Sequence, residues 1–409
     1  MENKVLIVTH VFPPQYGVGG RRWAKFSKCL IKQNQEVFVL TSESNDIKNS
    51  FWTDDVKQIK SKNIFYYKCR FPKILSKKNL SIIDKIWYKL SVLIIKVLTR
   101  GNYYDKTAFI EKKVVNAIFE ILNKHKINTM IVSGGPFNLL YYGALVKERL
   151  PNLKFIADFR DPWTWGQNYG IKNLTKNKFL NEEIKQSFVI NTADFITVPT
   201  EVMSDYLKSF YAKNEKIVVL PHGFDKADFE KKEFKITPSE TIKLAYIGEE
   251  YQGIENYFEE IAKGLSEENA IFEIDFFVKT KRYQAIFESR GLLNKKVFYK
   301  DMLPANEIFR ELKHYDFALL VIPDYGINYI GTKYYELIYA ELPIVFIAKN
   351  GMASNFINNN QLGICLSENT IFDFFSNPKA AKDFKLKPFE SIADFEMESV
   401  TKKLLKLIN

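Results

Sequence analysis

The sequence predicts an α/β protein made of two doubly wound, Rossmann-like domains, and three observations carry the prediction. Short apolar runs alternate with helix-like segments along the whole chain. The runs are continuous rather than alternating, as in parallel strands buried on both faces. A charged stretch around residue 230 divides the runs into two series, and the sign of the net charge changes across it. The length of 409 residues suits two or three domains at ~100–200 residues each.

The strands expected in the first series are Val5–Val8, Val37–Leu40, Ile64–Tyr67, Met130–Val132, Phe155–Ala157, Phe195–Val198 and Val218–Leu220. Those in the second are Leu244–Ile247, Phe272–Val278, Val297–Tyr299, Phe317–Val321 and Ile344–Ile347. Arg21–Gln33, Phe137–Arg149, Glu201–Phe210 and Ile254–Leu265 have helical patterns between them. The segment from Asp225 to Ser239 is dominated by charges, so the domains are expected at 1–225 and 239–390. A last amphipathic helix, 399–408, carries Val400, Leu404, Leu405 and Ile408 on one side. Neither an internal repeat nor a low-complexity tract is present.

Composition excludes a disordered or fibrous chain, with 46% hydrophobic and 15% aromatic residues. Residues 1–238 hold 39 basic against 23 acidic side chains, a net of +16, and residues 239–409 hold 20 against 25, a net of −5. Residues 51–100 alone carry a net of +9. Cys29, Cys69 and Cys365 are widely scattered, with neither zinc-site nor disulfide spacing, which reads as a reducing compartment. Val5–Val8 is too short for the core of a signal peptide and is expected to be a strand. Asp84, Lys85, Lys89 and Lys96 interrupt Ile82–Leu98, so that stretch is not expected to span a bilayer. Its apolar residues recur at three- and four-residue steps, with Lys85 and Lys89 away from the stripe and Trp87 on it. That is the pattern of an interfacial helix on anionic lipid, and equally of a helix packed on its own domain.

Five local features bear chemistry. Gly17, Gly19, Gly20 and Arg21 follow the first strand, where a glycine turn lets a ligand approach the backbone. The spacing is not that of a dinucleotide fingerprint. Ser133 to Phe137 puts a second small-residue loop at a strand end. Asp158, Arg160 and Asp161 flank the end of Phe155–Ala157, where open α/β sheets place ligands, or form an internal ion-pair cluster. His222 lies just before the domain break. The fifth feature runs from Tyr329 to Pro343. Gly331 and Thr332 lead into a helix that begins near Lys333, which favours a phosphate, and Glu336 one turn on can accept hydroxyl hydrogen bonds from a sugar.

These five features, in this order, resemble the GT-B glycosyltransferases, and most of all the bacterial members of glycosyltransferase family 4. The resemblance implies two Rossmann-like domains facing across a cleft, with the final helix 399–408 crossing back to the first. The second domain would hold a nucleotide-diphosphate sugar of UDP type, and the first the acceptor. Lys333 and the helix amides, with Gly331 and Thr332, would hold the diphosphate. Glu336 would take the ribose, and the Gly248 loop would border the donor. Gly17, Gly19, Gly20, Arg21, Ser133 and His222 would border the acceptor. Asp161, or Asp158, would orient or deprotonate its hydroxyl, with Arg160 beside them. Two positions depart from the family pattern. Asn328 stands where the family often has the first glutamate of a Glu-x7-Glu pair ending at Glu336, and Gln252-Gly253 replaces Lys-Gly. Arg160 or Arg21 is then the alternative second cation.

The expected activity is retaining, metal-independent hexosyl transfer to a lipid-linked glycan, in capsule, O-antigen or exopolysaccharide assembly. No cofactor and no metal is expected beyond the donor, and no nucleic acid is a partner. The location would be cytoplasmic, peripheral on the inner face of the cell membrane. A GT-B sugar-nucleotide epimerase and a non-catalytic carbohydrate-binding protein are the alternatives.

Overall fold

Among the described residues, thirteen strands, all paired in parallel, form two sheets that never exchange a strand. The computed structural model describes residues 3–15, 17–43, 50–69, 71–77, 80–166, 170–211, 214–229 and 240–409. Most of the charged segment expected to separate the domains, and Lys78, lie outside the described residues. The chain divides into two compact units, 1–221 with 400–409, and 222–399.

The first unit contains β1 (Asn3–Val8), α1 (Arg21–Lys32), β2 (Gln35–Ser42), β3 (Ile64–Tyr67), α2 (Ile82–Leu98), α3 (Glu111–His125), β4 (Thr129–Ser133), α4 (Asn138–Arg149), β5 (Lys154–Asp158), α5 (Lys176–Thr192), β6 (Phe195–Val198), α6 (Glu201–Phe210) and β7 (Ile217–Val219). Its sheet order is β3-β2-β1-β4-β5-β6-β7. The chain therefore winds outward from β1 in one direction and then restarts at β4 in the other. Val5 to Val8, Met130 to Val132 and Phe155 to Ala157 have no exposed surface, which is why their runs lack a polar alternate.

The second unit contains β8 (Ile242–Ile247), α7 (Glu255–Leu265), β9 (Phe272–Phe277), α8 (Gln284–Glu288), β10 (Val297–Lys300), α9 (Ala305–Glu311), β11 (Phe317–Val321), α10 (Thr332–Tyr339), β12 (Ile344–Ile347), α11 (Met352–Asn359), β13 (Gly363–Leu366), α12 (Glu368–Ser376) and α13 (Lys379–Asp383). The order β10-β9-β8-β11-β12-β13 repeats the same winding, with the restart at β11. The last helix, α14 (Met397–Ile408), begins in the second unit, where Met397 N–H donates to Phe224 O at 2.8 Å. Its end belongs to the first, where the Lys154 ammonium donates to Ile408 O at 2.8 Å.

The strands foreseen from the sequence are present within a residue or two. β13 was not foreseen: a four-residue strand opening on Gly363 with only two fully buried members gives almost no apolar run. α3, α5 and α11 were also not singled out. The alternative in which the stripe of α2 packs on its own domain is overturned, since nine of its apolar side chains are exposed.

Candidate active site

An open parallel sheet leaves a crevice at the carboxyl ends of its strands where the winding reverses. In the second unit that place lies between β8 and β11. Gly248 follows β8 there with φ of +103°, a conformation that L side chains rarely adopt. A Cβ at this position would collide with the Lys333 ammonium. Lys333 is the second residue of α10, and its Nζ donates to Ile247 O at 2.6 Å. One of the three ammonium donors is thereby committed to the strand end and two remain for a ligand. Burial lowers the Lys333 pKa, and Glu336 and Glu249 act against that shift. An anion at the ammonium would relieve the same desolvation. Gly331, the N-cap of α10, brings no side-chain acceptor to the first turn, so the amides there can receive an oxyanion beside the cation. Glu336 lies one turn along the same helix and is half-buried.

Asn328 is exposed, and its Oδ1 accepts from Met352 N at 3.2 Å, at the start of α11. Its oxygen thus ties this loop to a helix terminus, and the Nδ2 group adds donors that a glutamate lacks. The loop after Gly248 is held by a residue that the sequence reading missed. Glu250 is 1% exposed and accepts from Arg282 N at 2.6 Å and Tyr299 OH at 3.2 Å. Burial raises its pKa. The acidic pair Glu249-Glu250 directly after an apolar strand was the available signal.

In the first unit the reversal lies between β1 and β4, and three of the foreseen loops meet there. Arg160 donates to Gly19 O at 2.9 Å, to Gly135 O at 3.4 Å and to Asp161 Oδ2 at 3.0 Å. It therefore ties the Gly17–Gly20 turn, the Ser133–Phe137 loop and the loop after β5 into one wall. A Cβ on Gly19 would come within 3.0 Å of the Arg160 guanidinium, so a residue without a side chain permits this approach. Asp161 is half-buried and open enough to meet a ligand.

Asp158 is placed differently from Asp161. It has no exposed surface. Its oxygens accept from Arg22 Nη2 at 2.9 Å, Arg22 Nε at 3.2 Å, Trp23 Nε1 at 3.2 Å, Ser133 Oγ at 2.8 Å and Thr197 Oγ1 at 2.8 Å. Five donors saturate a carboxylate, so Asp158 and Ser133 hold the strand ends together and do not face a ligand. Arg22 also donates to Leu220 O at 3.0 Å and Pro221 O at 3.3 Å. Arg21 is buried. His222 is half-buried and belongs to the second unit.

His10, directly after β1, was also missed, though it is one of only four histidines. Its Nδ1 lies 3.2 Å from Tyr67 OH. Burial, with Lys106 and Arg160 adding repulsion, lowers its pKa from 6.5 to about 4. A neutral imidazole therefore sits here in the field of two cations. On α2, Trp87, Lys85 and Lys89 are all exposed and lie far along the chain from these loops. Among the described residues no helix is long and apolar enough to cross a membrane.

No family model and no curated protein matches the chain. Solved structures do match over nearly the whole length. Sucrose-phosphate synthase from Thermosynechococcus elongatus superposes with a TM-score of 0.66 at 11% identity, covering 99% of this chain and 98% of its own. The Anabaena protein HepE, solved with UDP and glucose, gives 0.61 at 11% identity, covering 99% and 98%. The UDP-GlcNAc 2-epimerase from Methanocaldococcus jannaschii gives 0.56 at 14% identity, covering 100% and 99%. At these identities the likeness establishes the fold: two Rossmann-like units in the GT-B arrangement of elements.

Proposed function

We propose that this chain is a glycosyltransferase of the family 4 type. In this reading it moves a hexosyl group from a UDP-linked donor to a lipid-linked glycan at the inner face of the cell membrane, in cell-surface polysaccharide assembly. The observation that carries the reading is the Lys333 ammonium at the open N-terminus of α10, against the end of β8. Departure of the nucleoside diphosphate puts negative charge on its outer phosphate. A fixed cation and helix amides stabilise that charge best where they need no rearrangement. They do so without a metal, and Glu336 takes the ribose hydroxyls. HepE, a structural neighbour, is described as a complex with UDP and glucose, which agrees with a UDP donor. In the first unit Asp161, oriented by Arg160, receives the acceptor's proton, and the new bond keeps the donor's anomeric configuration.

The test supplies UDP-hexoses with and without a lipid-linked glycan fraction and follows UDP release and product. Release that depends on acceptor, and its loss in Lys333→Ala and Glu336→Ala proteins that still fold, is the expected result. Full transfer by either variant would overturn the site. A second reading, sugar-nucleotide epimerisation, is favoured by the neighbours that are UDP-GlcNAc 2-epimerases. An epimer formed from the donor alone, with no acceptor added, would select it.

A further inference from the structure

Helix α2 is built to leave its greasy side uncovered. At about 100° per residue, the positions from Asp84 through Tyr88, Ser91, Val92 and Ile95 fall in one arc of about 100°. That arc is the docked side: Ile95 is 3% exposed and the others half-buried. The nine other apolar residues between Ile82 and Leu98 fill a separate arc of about 160°, and they are 42–80% exposed. Lys85, Lys89 and Lys96 occupy the narrow strip between the two arcs, all exposed. The helix's only acid, Asp84, is on the docked side and is spent at the cap, accepting from Ser81 N at 3.0 Å and pairing with Lys77 at 2.5 Å.

The far end of α2 is clasped by α5, where Lys178 donates to Thr99 O and Asn181 donates to Arg100 O at 3.2 Å. Leu180 and Ile184 on that clasping helix are 52% and 59% exposed. Below α2 lies a cavity of about 140 Å³, lined by Phe71 and Leu75 before the helix, Val92 and Ile95 on it, and Tyr103 and Lys106 after it. Tyr88, Tyr104 and the Lys106 ammonium complete the lining, which is therefore mixed in polarity and open in part to solvent.

We infer that α2 is a membrane-docking surface: its exposed stripe enters the acyl boundary of an anionic bilayer and its lysine strip meets the headgroups. Charge complementarity selects this occupant over a second copy of the chain. Two stripes pressed together would bring up lysines with no exposed acid on the helix to receive them, whereas anionic headgroups supply that partner along the whole strip. The geometry agrees. With Leu90 at the centre of the stripe pointing into lipid, the lysines sit to the side and their stems reach up to headgroup level. Trp87 has the amphipathic ring that favours the interface. Lys106, at the cavity beneath, also acts on His10 in the first unit. The docking rests on exposure and charge alone, and it gives the lipid-linked acceptor of the proposed reaction a surface on which to arrive.

The experiment is flotation of the full chain with vesicles of phosphatidylcholine, alone or mixed with phosphatidylglycerol. The protein should float with the mixed vesicles and less so as salt rises. Lys85→Ala/Lys89→Ala should weaken binding about 30-fold, and Leu90→Asp/Leu93→Asp should abolish it. All four side chains are exposed, so the variants fold, and UDP binding by each serves as the check. Wild-type protein left at the bottom of the gradient overturns the inference. So does a dimer in light scattering that the Leu90→Asp/Leu93→Asp change dissociates, with no flotation by either protein. UDP binding without flotation removes the docking and leaves the transferase reading standing; flotation without UDP binding does the reverse.

Discussion

Replacing Asp158 by alanine tests whether the buried knot at the strand ends holds the first unit together. The carboxylate accepts five hydrogen bonds, two of them from Arg22. Without it the Ser133 and Thr197 hydroxyls can rotate to other acceptors. The Trp23 indole N–H cannot, and an unsatisfied buried donor costs about 1–3 kcal/mol. The Arg22 guanidinium, 5% exposed, keeps only the Leu220 and Pro221 carbonyls. Breaking one side of a buried ion pair costs about 3–5 kcal/mol, which already includes much of that loss. We take about 4 kcal/mol as the expected change. The two units need not unfold together, so a whole-chain signal would mix two transitions. The composition removes this difficulty. All five tryptophans, Trp23, Trp52, Trp87, Trp163 and Trp165, lie in the first unit. Tryptophan fluorescence in urea therefore reports that unit alone. At a slope of about 2–3 kcal/mol per molar urea, the midpoint should fall by roughly 1–2 M. Arg22→Met should cost a similar amount, and the double variant much less than the sum of the two. An Asp158→Ala midpoint unchanged at unchanged slope, or additive single effects, would refute the assignment of the pair as the knot.

Three further outcomes are expected. Gly248→Ala should lower UDP affinity at least tenfold by calorimetry, because its Cβ displaces the Lys333 ammonium and a charge-assisted hydrogen bond is worth about 1.5–3 kcal/mol; undiminished affinity would show that the ammonium does not meet the diphosphate. Asp161→Asn should lower turnover by about 10²–10⁴ with UDP affinity unchanged, and steady-state kinetics beside calorimetry separate the two; equal turnover removes Asp161 from the chemistry. The His10 pKa is depressed in the folded state, from 6.5 to about 4, so between those values the unfolded chain binds more protons. Stability is therefore complete above about 6.5 and is lost as pH falls toward 4, by about 2 kcal/mol from pH 7 to pH 5 for this group. Urea midpoints by tryptophan fluorescence at the two pH values should differ less in His10→Gln than in the wild type; equal differences would place the pH response elsewhere.

The architecture is largely legible in the sequence, because strands buried on both faces must be apolar at every position. Val5 to Val8 and Phe317 to Val321 announce themselves in this way. β13 did not, since an edge strand of four residues with two half-buried members needs no such run. The loop, lysine and glutamate of the fifth feature were legible as a helix start with a cation on it. That the lysine ends on Ile247 O was not, because the contact joins residues 86 positions apart and no sequence pattern records it.

By itself, the sequence determined two doubly wound units, the candidate loops at their strand ends, and a helix whose stripe and lysines are segregated. These properties follow from local periodicity and from residue chemistry. Only the tertiary structure decided which carboxylate is structural and which is open, because Asp158 and Asp161 differ by three residues in sequence and wholly in burial. It also decided that the stripe of α2 is bare. Periodicity states that a helix has an apolar side, but what covers that side depends on where the rest of the chain goes.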